Sequence, residues 1–180
     1  MNRTVASLAV AGTLVAVAGW SWPAWAVMTS ADRTFVNKAA QGGVAEVALG
    51  QLAEKNAKSA QVKQFGARMV RDHGKANGQL KQLASKEGVS LPKTMSPEDQ
   101  ALHDKLTKLK GEAFDRTYMA NMVQDHMKDV SDFKKAAATA KDPGVKKFAS
   151  QTLPTLQQHL NLAKKVAKVE TSPAHMKKPS

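Results

Sequence analysis

The stretch GVSLPKTMSPED, Gly88 to Asp99, decides how the rest of the chain can fold. Gly88 stands where the position after a helix favours glycine, and VSLPKTM carries no helical period. SPED then restarts a helix with a serine cap and proline at the first helical position. On both sides the chain is rich in Ala, Lys, Gln and Leu and poor in β-branched and aromatic residues, a composition that favours helix, and no strand pattern interrupts it.

Working outward, a first long helix is expected after Ser30 to about Ala57. A second follows after Ser59 and stops at Gly88, with so short a connection that the two form an antiparallel hairpin. Beyond the break, a short helix runs to about Leu109 and ends near Gly111. The third long helix covers about Glu112 to Ala140. Asp-Pro-Gly at Asp142 to Gly144 caps the fourth, which runs to about Val169. The order is hairpin, a connection of roughly two dozen residues, hairpin. It predicts an all-α, ferritin-like antiparallel four-helix bundle, two helical hairpins joined by a long crossover carrying a short helix. Phe35 and Phe114 early in the first helix of each hairpin, and VKQF at Val62 against VKKF at Val145 early in the second, suggest an internal duplication.

The ends of the chain read differently. Arg3 precedes a largely apolar stretch from Val5 to Trp20, and AWA at Ala24 to Ala26 offers the small residues of a cleavage site. Residues 1–26 are therefore expected to be a secretory signal peptide cleaved after Ala26, which places the product in the periplasm or outside the cell. Residues 27–170 form one domain with a single core, and 171–180, TSPAHMKKPS, a disordered basic tail. Cysteine is absent, which excludes disulfides, thiolate metal sites and a lipidated cysteine. Lys and Arg exceed Asp and Glu by 27 to 15 for a net charge of +12, with the lysines spread over every segment and no aromatic interleaving. Nucleic acid is not an expected partner of an exported protein; the basic surface offers peripheral contact with anionic membrane or envelope polymers.

Each long helix can be tested against a stripe of three- and four-residue steps. The stripes read Phe35, Ala39, Gly42, Glu46, Leu49, Ala53; then Val62, Gly66, Met69, His73, Ala76, Leu80, Leu83. The third reads Met119, Val123, His126, Val130, Phe133, Ala137, Ala140, and the fourth Val145, Ala149, Thr152, Leu156, His159, Ala163, Val166. Each stripe carries one ionisable residue, Glu46, His73, His126 or His159, and all four fall near mid-length. One Glu and three His converging from four helices suit a single divalent transition metal (Zn, Fe, Mn or Cu). The same four also suit a metal-free polar layer that fixes helix register. Asp72 and Asp125, each one residue before a His, are placed to orient a neighbouring helix's imidazole or to be solvated. Met69, Met119, Met122 and Met127 lie near the same level and read as gap-filling. His103 and His175 are expected to be exposed and without a role. Small residues at Ala39, Gly42 and Gly43 predict a narrow interior rather than a substrate cavity.

A di-iron site needs Glu-x-x-His on two helices, but Val70 and Val123 stand three residues before His73 and His126. Ferroxidase chemistry is therefore not expected. No nucleophile with its base, phosphate loop or dinucleotide fingerprint is present. A binding or stress-related envelope role is favoured over an enzyme.

AAQGGVAEVALGQLA, VKQFGARMVRDHGKANGQL, Leu91-Pro92, GEAFDRTYMANMVQDH and VKKFASQTLPTLQQHL together resemble an exported bacterial ferritin-like family of unknown function, often labelled "predicted outer membrane protein". The resemblance spans Phe35 to Ala167. It implies export and the helical fold, and it maps the family's Glu, two Asp-His pairs and late His onto Glu46, Asp72-His73, Asp125-His126 and His159. It implies no settled activity.

Overall fold

A computed structural model describes residues 28–172, so the expected signal peptide and most of the basic tail, with His175, lie outside the described residues. Those described form five helices and no strand: α1 (Ser30–Asn56), α2 (Ala60–Lys86), α3 (Pro97–Thr107), α4 (Gly111–Thr139) and α5 (Pro143–Glu170). None of them is long and apolar enough to cross a membrane.

The punctuation of the sequence explains most boundaries. Gly88 adopts φ 63°, the left-handed conformation that lets Val89 N–H return to the Ala84 carbonyl and close α2. Ser96 accepts from Asp99 N–H with Pro97 behind it, and Asp142 accepts from Val145 N–H ahead of α5. At α1 the cap is Thr29 rather than Ser30, because Thr29 and Asp32 form a reciprocal capping box. Ser59 makes no side-chain cap for α2.

The start of α2 is satisfied from elsewhere. The buried Asp115 of α4 accepts from Lys58 N–H at 3.2 Å and Ser59 N–H at 2.9 Å. Asp32 of α1 does the same for the other hairpin, accepting from Lys141 N–H at 3.3 Å and Asp142 N–H at 3.2 Å. Each tight turn is thus clamped by an aspartate from the first helix of the opposite hairpin.

α1 packs most extensively on α2, and α4 on α5; α2 with α5 and α1 with α4 join the pairs, while α3 lies chiefly against α1. The α5 stripe is buried throughout. In the first half of α1 the buried positions after Asp32 are Val36, Ala40 and Gly43, one residue later than the periodic expectation of Phe35, Ala39 and Gly42. Phe35 still packs edge-on against Phe133, their centroids 4.9 Å apart. Gly50 and Gly66 set the α1–α2 spacing. A Cβ on Gly66 would lie 2.7 Å from both Ala53 Cβ and the Gly50 carbonyl, closer than atoms can pack.

The apolar core divides into two clusters. One gathers Leu49, Ala53, Phe65, Met69, Phe114, Tyr118, Met122 and Ala163; the other Val36, Ala40, Leu80, Phe133, Val145, Phe148 and Leu156. On each long helix the ionisable stripe residue falls between the two: Glu46, His73, His126 and His159. A polar layer therefore crosses the middle of the molecule.

Candidate metal centre

His73 on α2, His126 on α4 and His159 on α5 meet in this layer, 7 %, 0 % and 1 % exposed. One nitrogen from each lies within 4.8 Å of the others. The ring centroids form a nearly equilateral triangle, with His73–His126 at 5.7 Å and both His73–His159 and His126–His159 at 5.4 Å.

Hydrogen bonds fix two of the tautomers. His126 Nδ1 lies 3.0 Å from the Met122 carbonyl, which can only accept, so the proton sits on Nδ1 and Nε2 keeps its lone pair. His159 Nε2 lies 2.9 Å from Asp72 Oδ2, so it donates to that carboxylate and Nδ1 keeps the lone pair. Both remaining nitrogens, with His73 Nε2, are buried and have no hydrogen-bond partner. Burial, then repulsion from the neighbouring imidazoles, holds His73 down to about 3 and His126 to about 4. Burial also lowers His159, against the pull of Asp72. At neutral pH the triad presents three uncharged imidazoles, the form that ligates metal.

Asp72 reaches from α2 to the imidazole of α5, one of the two placements that its position before His73 left open. Arg71 Nε at 2.9 Å and Arg68 Nε at 3.3 Å also donate to it. Opposing the cost of burial, these bonds to His159 and Arg71 hold its carboxyl below the usual range.

Glu46 stands apart from the triad. Its Oε1 is 3.7 Å from His126 Nδ1, the nitrogen committed to Met122. It groups instead with Asp125 and His126, with one ligand atom of each within 4.8 Å of the others. Burial first, and then the Asp125 carboxylate, push the Glu46 carboxyl well above its ordinary range. With Glu46 disposed to hold its proton and His126 uncharged, the 3.7 Å contact is not an ion pair. Asp125 is half-buried and faces an open groove of about 260 Å³ between α1, α3 and α4, which the expectation of a narrow interior did not include. His103 is partly buried rather than exposed and meets Asp104 at 3.5 Å.

Asp129 was not singled out by sequence reasoning. It shares with His73, Asn77 and Thr152 the lining of an internal space of about 20 Å³. Burial, followed by the charge of Asp125, raises its carboxyl. Its spacing, three residues after His126 and four after Asp125, was the available signal.

The sequence profile of a domain of unknown function, DUF4142, matches residues 22–166. A search among curated proteins gave no match. Among solved structures, a DUF305 fragment from Deinococcus radiodurans superposes with a TM-score of 0.69 at 17% identity, over 79% of this chain and 98% of that one. A DUF305 protein from Streptomyces coelicolor, described as a candidate secreted protein, gives 0.66 at 15% identity, over 79% and 95%. Both similarities concern the helical fold.

Proposed function

The chain belongs to the DUF4142 family, and within it we propose an exported, ferritin-like antiparallel four-helix bundle that holds one late divalent transition metal ion on His73, His126 and His159. The paired clamps support the antiparallel arrangement, since Asp32 ties the start of α1 to the α4–α5 turn and Asp115 ties the start of α4 to the α1–α2 turn. The signal-like residues 1–26 support export, as does the secreted description of the Streptomyces coelicolor relative in fold.

The observation that carries the metal reading is the triangle of imidazoles with their buried, unpartnered nitrogens. An ion held by three imidazoles at about 2.1 Å in a tetrahedral array sets their ring centroids about 5.3 Å apart; here they are 5.4 to 5.7 Å apart. Asp72 on His159 and the Met122 carbonyl on His126 are the outer partners that liganding histidines require. The Asp72 carboxylate also offsets part of the ion's charge. With Glu46 set apart, the donors are imidazoles, which suit Zn or Cu better than Mn.

Titrating metal-free protein with Co²⁺ tests this. Visible absorption bands of low-symmetry Co²⁺ that saturate at one equivalent, are displaced by Zn²⁺ and are lost in H73A/H126A are expected. A spectrum of hydrated Co²⁺ alone would overturn the reading.

A further inference from the structure

The 260 Å³ groove is lined by Glu46, Glu98, Asp99 and Asp125, four carboxylates together on a protein of net charge +12. Glu46 lies at its floor, 1 % exposed, with neither carboxylate oxygen hydrogen-bonded. Once ionised, Glu46 has strong acceptors in a poorly solvated position, a cost that either a proton shared with the neighbouring Asp125 or a cation bound between them removes. Asp125 brings a second carboxylate oxygen within 4.8 Å of the first.

The other polar groups at the groove narrow what can fill it. His126 is no donor on this side, because its Nδ1 proton points to the Met122 carbonyl. Asn121 Nδ2 donates to the Thr117 carbonyl at 2.7 Å, which leaves its amide oxygen available to the groove. Lys128, the one cation of the lining, is largely exposed and pairs with Asp132 at 3.5 Å. The available donors are thus oxygens, mainly carboxylate, in an open space large enough for an ion that keeps several waters, each occupying about 30 Å³. Such a donor set selects hard cations over the ions that imidazole prefers.

We propose that Glu46 and Asp125 form a second cation site, separate from the histidine triad, that takes one hard divalent ion, Mg²⁺, Ca²⁺ or Mn²⁺, from the groove between α1, α3 and α4. His126 belongs to both groups of ligand atoms, its Nε2 buried without a partner and its Nδ1 3.7 Å from Glu46 Oε1. The sharing of one proton between Glu46 and Asp125, with no ion, is the competing account.

Mn²⁺ titration of purified, chelator-treated protein, with free Mn²⁺ counted by electron paramagnetic resonance, separates the two. The site predicts one bound Mn²⁺ that Ca²⁺ or Mg²⁺ displaces. Binding should persist in H73A/H159A and weaken about tenfold or more in D125N and in E46Q, as ligand charge is removed. Asp125 is half-buried, so D125N reports on the site even if E46Q disturbs the core, and circular dichroism confirms the fold of each variant. Absence of Mn²⁺ binding would overturn the proposal. So would binding indifferent to both carboxylate variants, or binding lost only in the histidine variant.

Discussion

His159 Nε2 donates to Asp72 Oδ2 at 2.9 Å, a bond that reaches from α5 to α2 and leaves Nδ1 as the nitrogen of His159 that keeps its lone pair. If the triad ligates metal, D72N should lower Zn²⁺ affinity about 10- to 100-fold, as loss of an outer carboxylate does elsewhere. Asp72 is partly exposed and Asn keeps its shape, so the variant should fold. Competition against a chromophoric chelator checks the affinity, and an unchanged affinity would show that the bond does not orient a ligand.

Metal-free protein should lose stability as the pH falls from about 6.5. An unfolded chain's imidazoles take up protons in that range, whereas the folded core refuses them until about pH 3 at His73 and about pH 4 at His126. The unfolded state then binds more protons, and stability drops with pH across the window, by as much as about 4 kcal/mol from His73. Glu46, whose carboxyl is raised, acts oppositely above its ordinary value of 4.5, where the folded state holds a proton that the unfolded state releases. Urea denaturation from pH 4 to 8 should show H73L less acid-sensitive than wild type and E46Q more stable at pH 8, with that gain fading toward pH 4.5.

Asp32 and Asp115 each accept two backbone N–H groups in the opposite hairpin's turn. Replacing either by Ala strands those donors and should cost about 1–3 kcal/mol in urea denaturation. Asp32 is held below its ordinary pKa by bonds to Thr29, Asp142 and Lys141 that outweigh its burial, so its contribution is present at neutral pH and lost as the carboxyl protonates. D32A should therefore converge with wild type in strongly acid solution.

Gly66→Ala should destabilise by about 1–3 kcal/mol, because the new methyl meets Ala53 and the Gly50 backbone, and helix backbones cannot yield as side chains do. Gly42→Ala, where nothing lies within 4 Å, is its control and should be neutral or slightly stabilising. Thermal melts of the two variants check the contrast.

The helices were legible because their ends carry local chemistry, as at Gly88, Ser96-Pro97 and Asp142-Pro143, and because the α5 stripe keeps its period throughout. The polar layer was legible for the same reason: one ionisable residue breaks each stripe. What periodicity could not give is orientation around a side chain. Glu46 occupies the anticipated level but groups with Asp125 and His126 instead of with all three histidines, a matter of side-chain direction that helical spacing does not record. The α1–α3–α4 groove depends on where the crossover docks, and the Asp32 clamp joins residues 109 and 110 apart in sequence, so neither leaves a local signal.

The central claim is that His73, His126 and His159 hold an ion, and elemental mass spectrometry of untagged protein purified from its native compartment tests it most directly, alongside H73A/H126A. The account predicts near-stoichiometric Zn or Cu in the wild type and none in the folded double variant. A wild type that stays metal-free after exposure to Zn²⁺, Cu²⁺ and Fe²⁺ would contradict it, and would leave the three histidines as a polar layer that sets helix register.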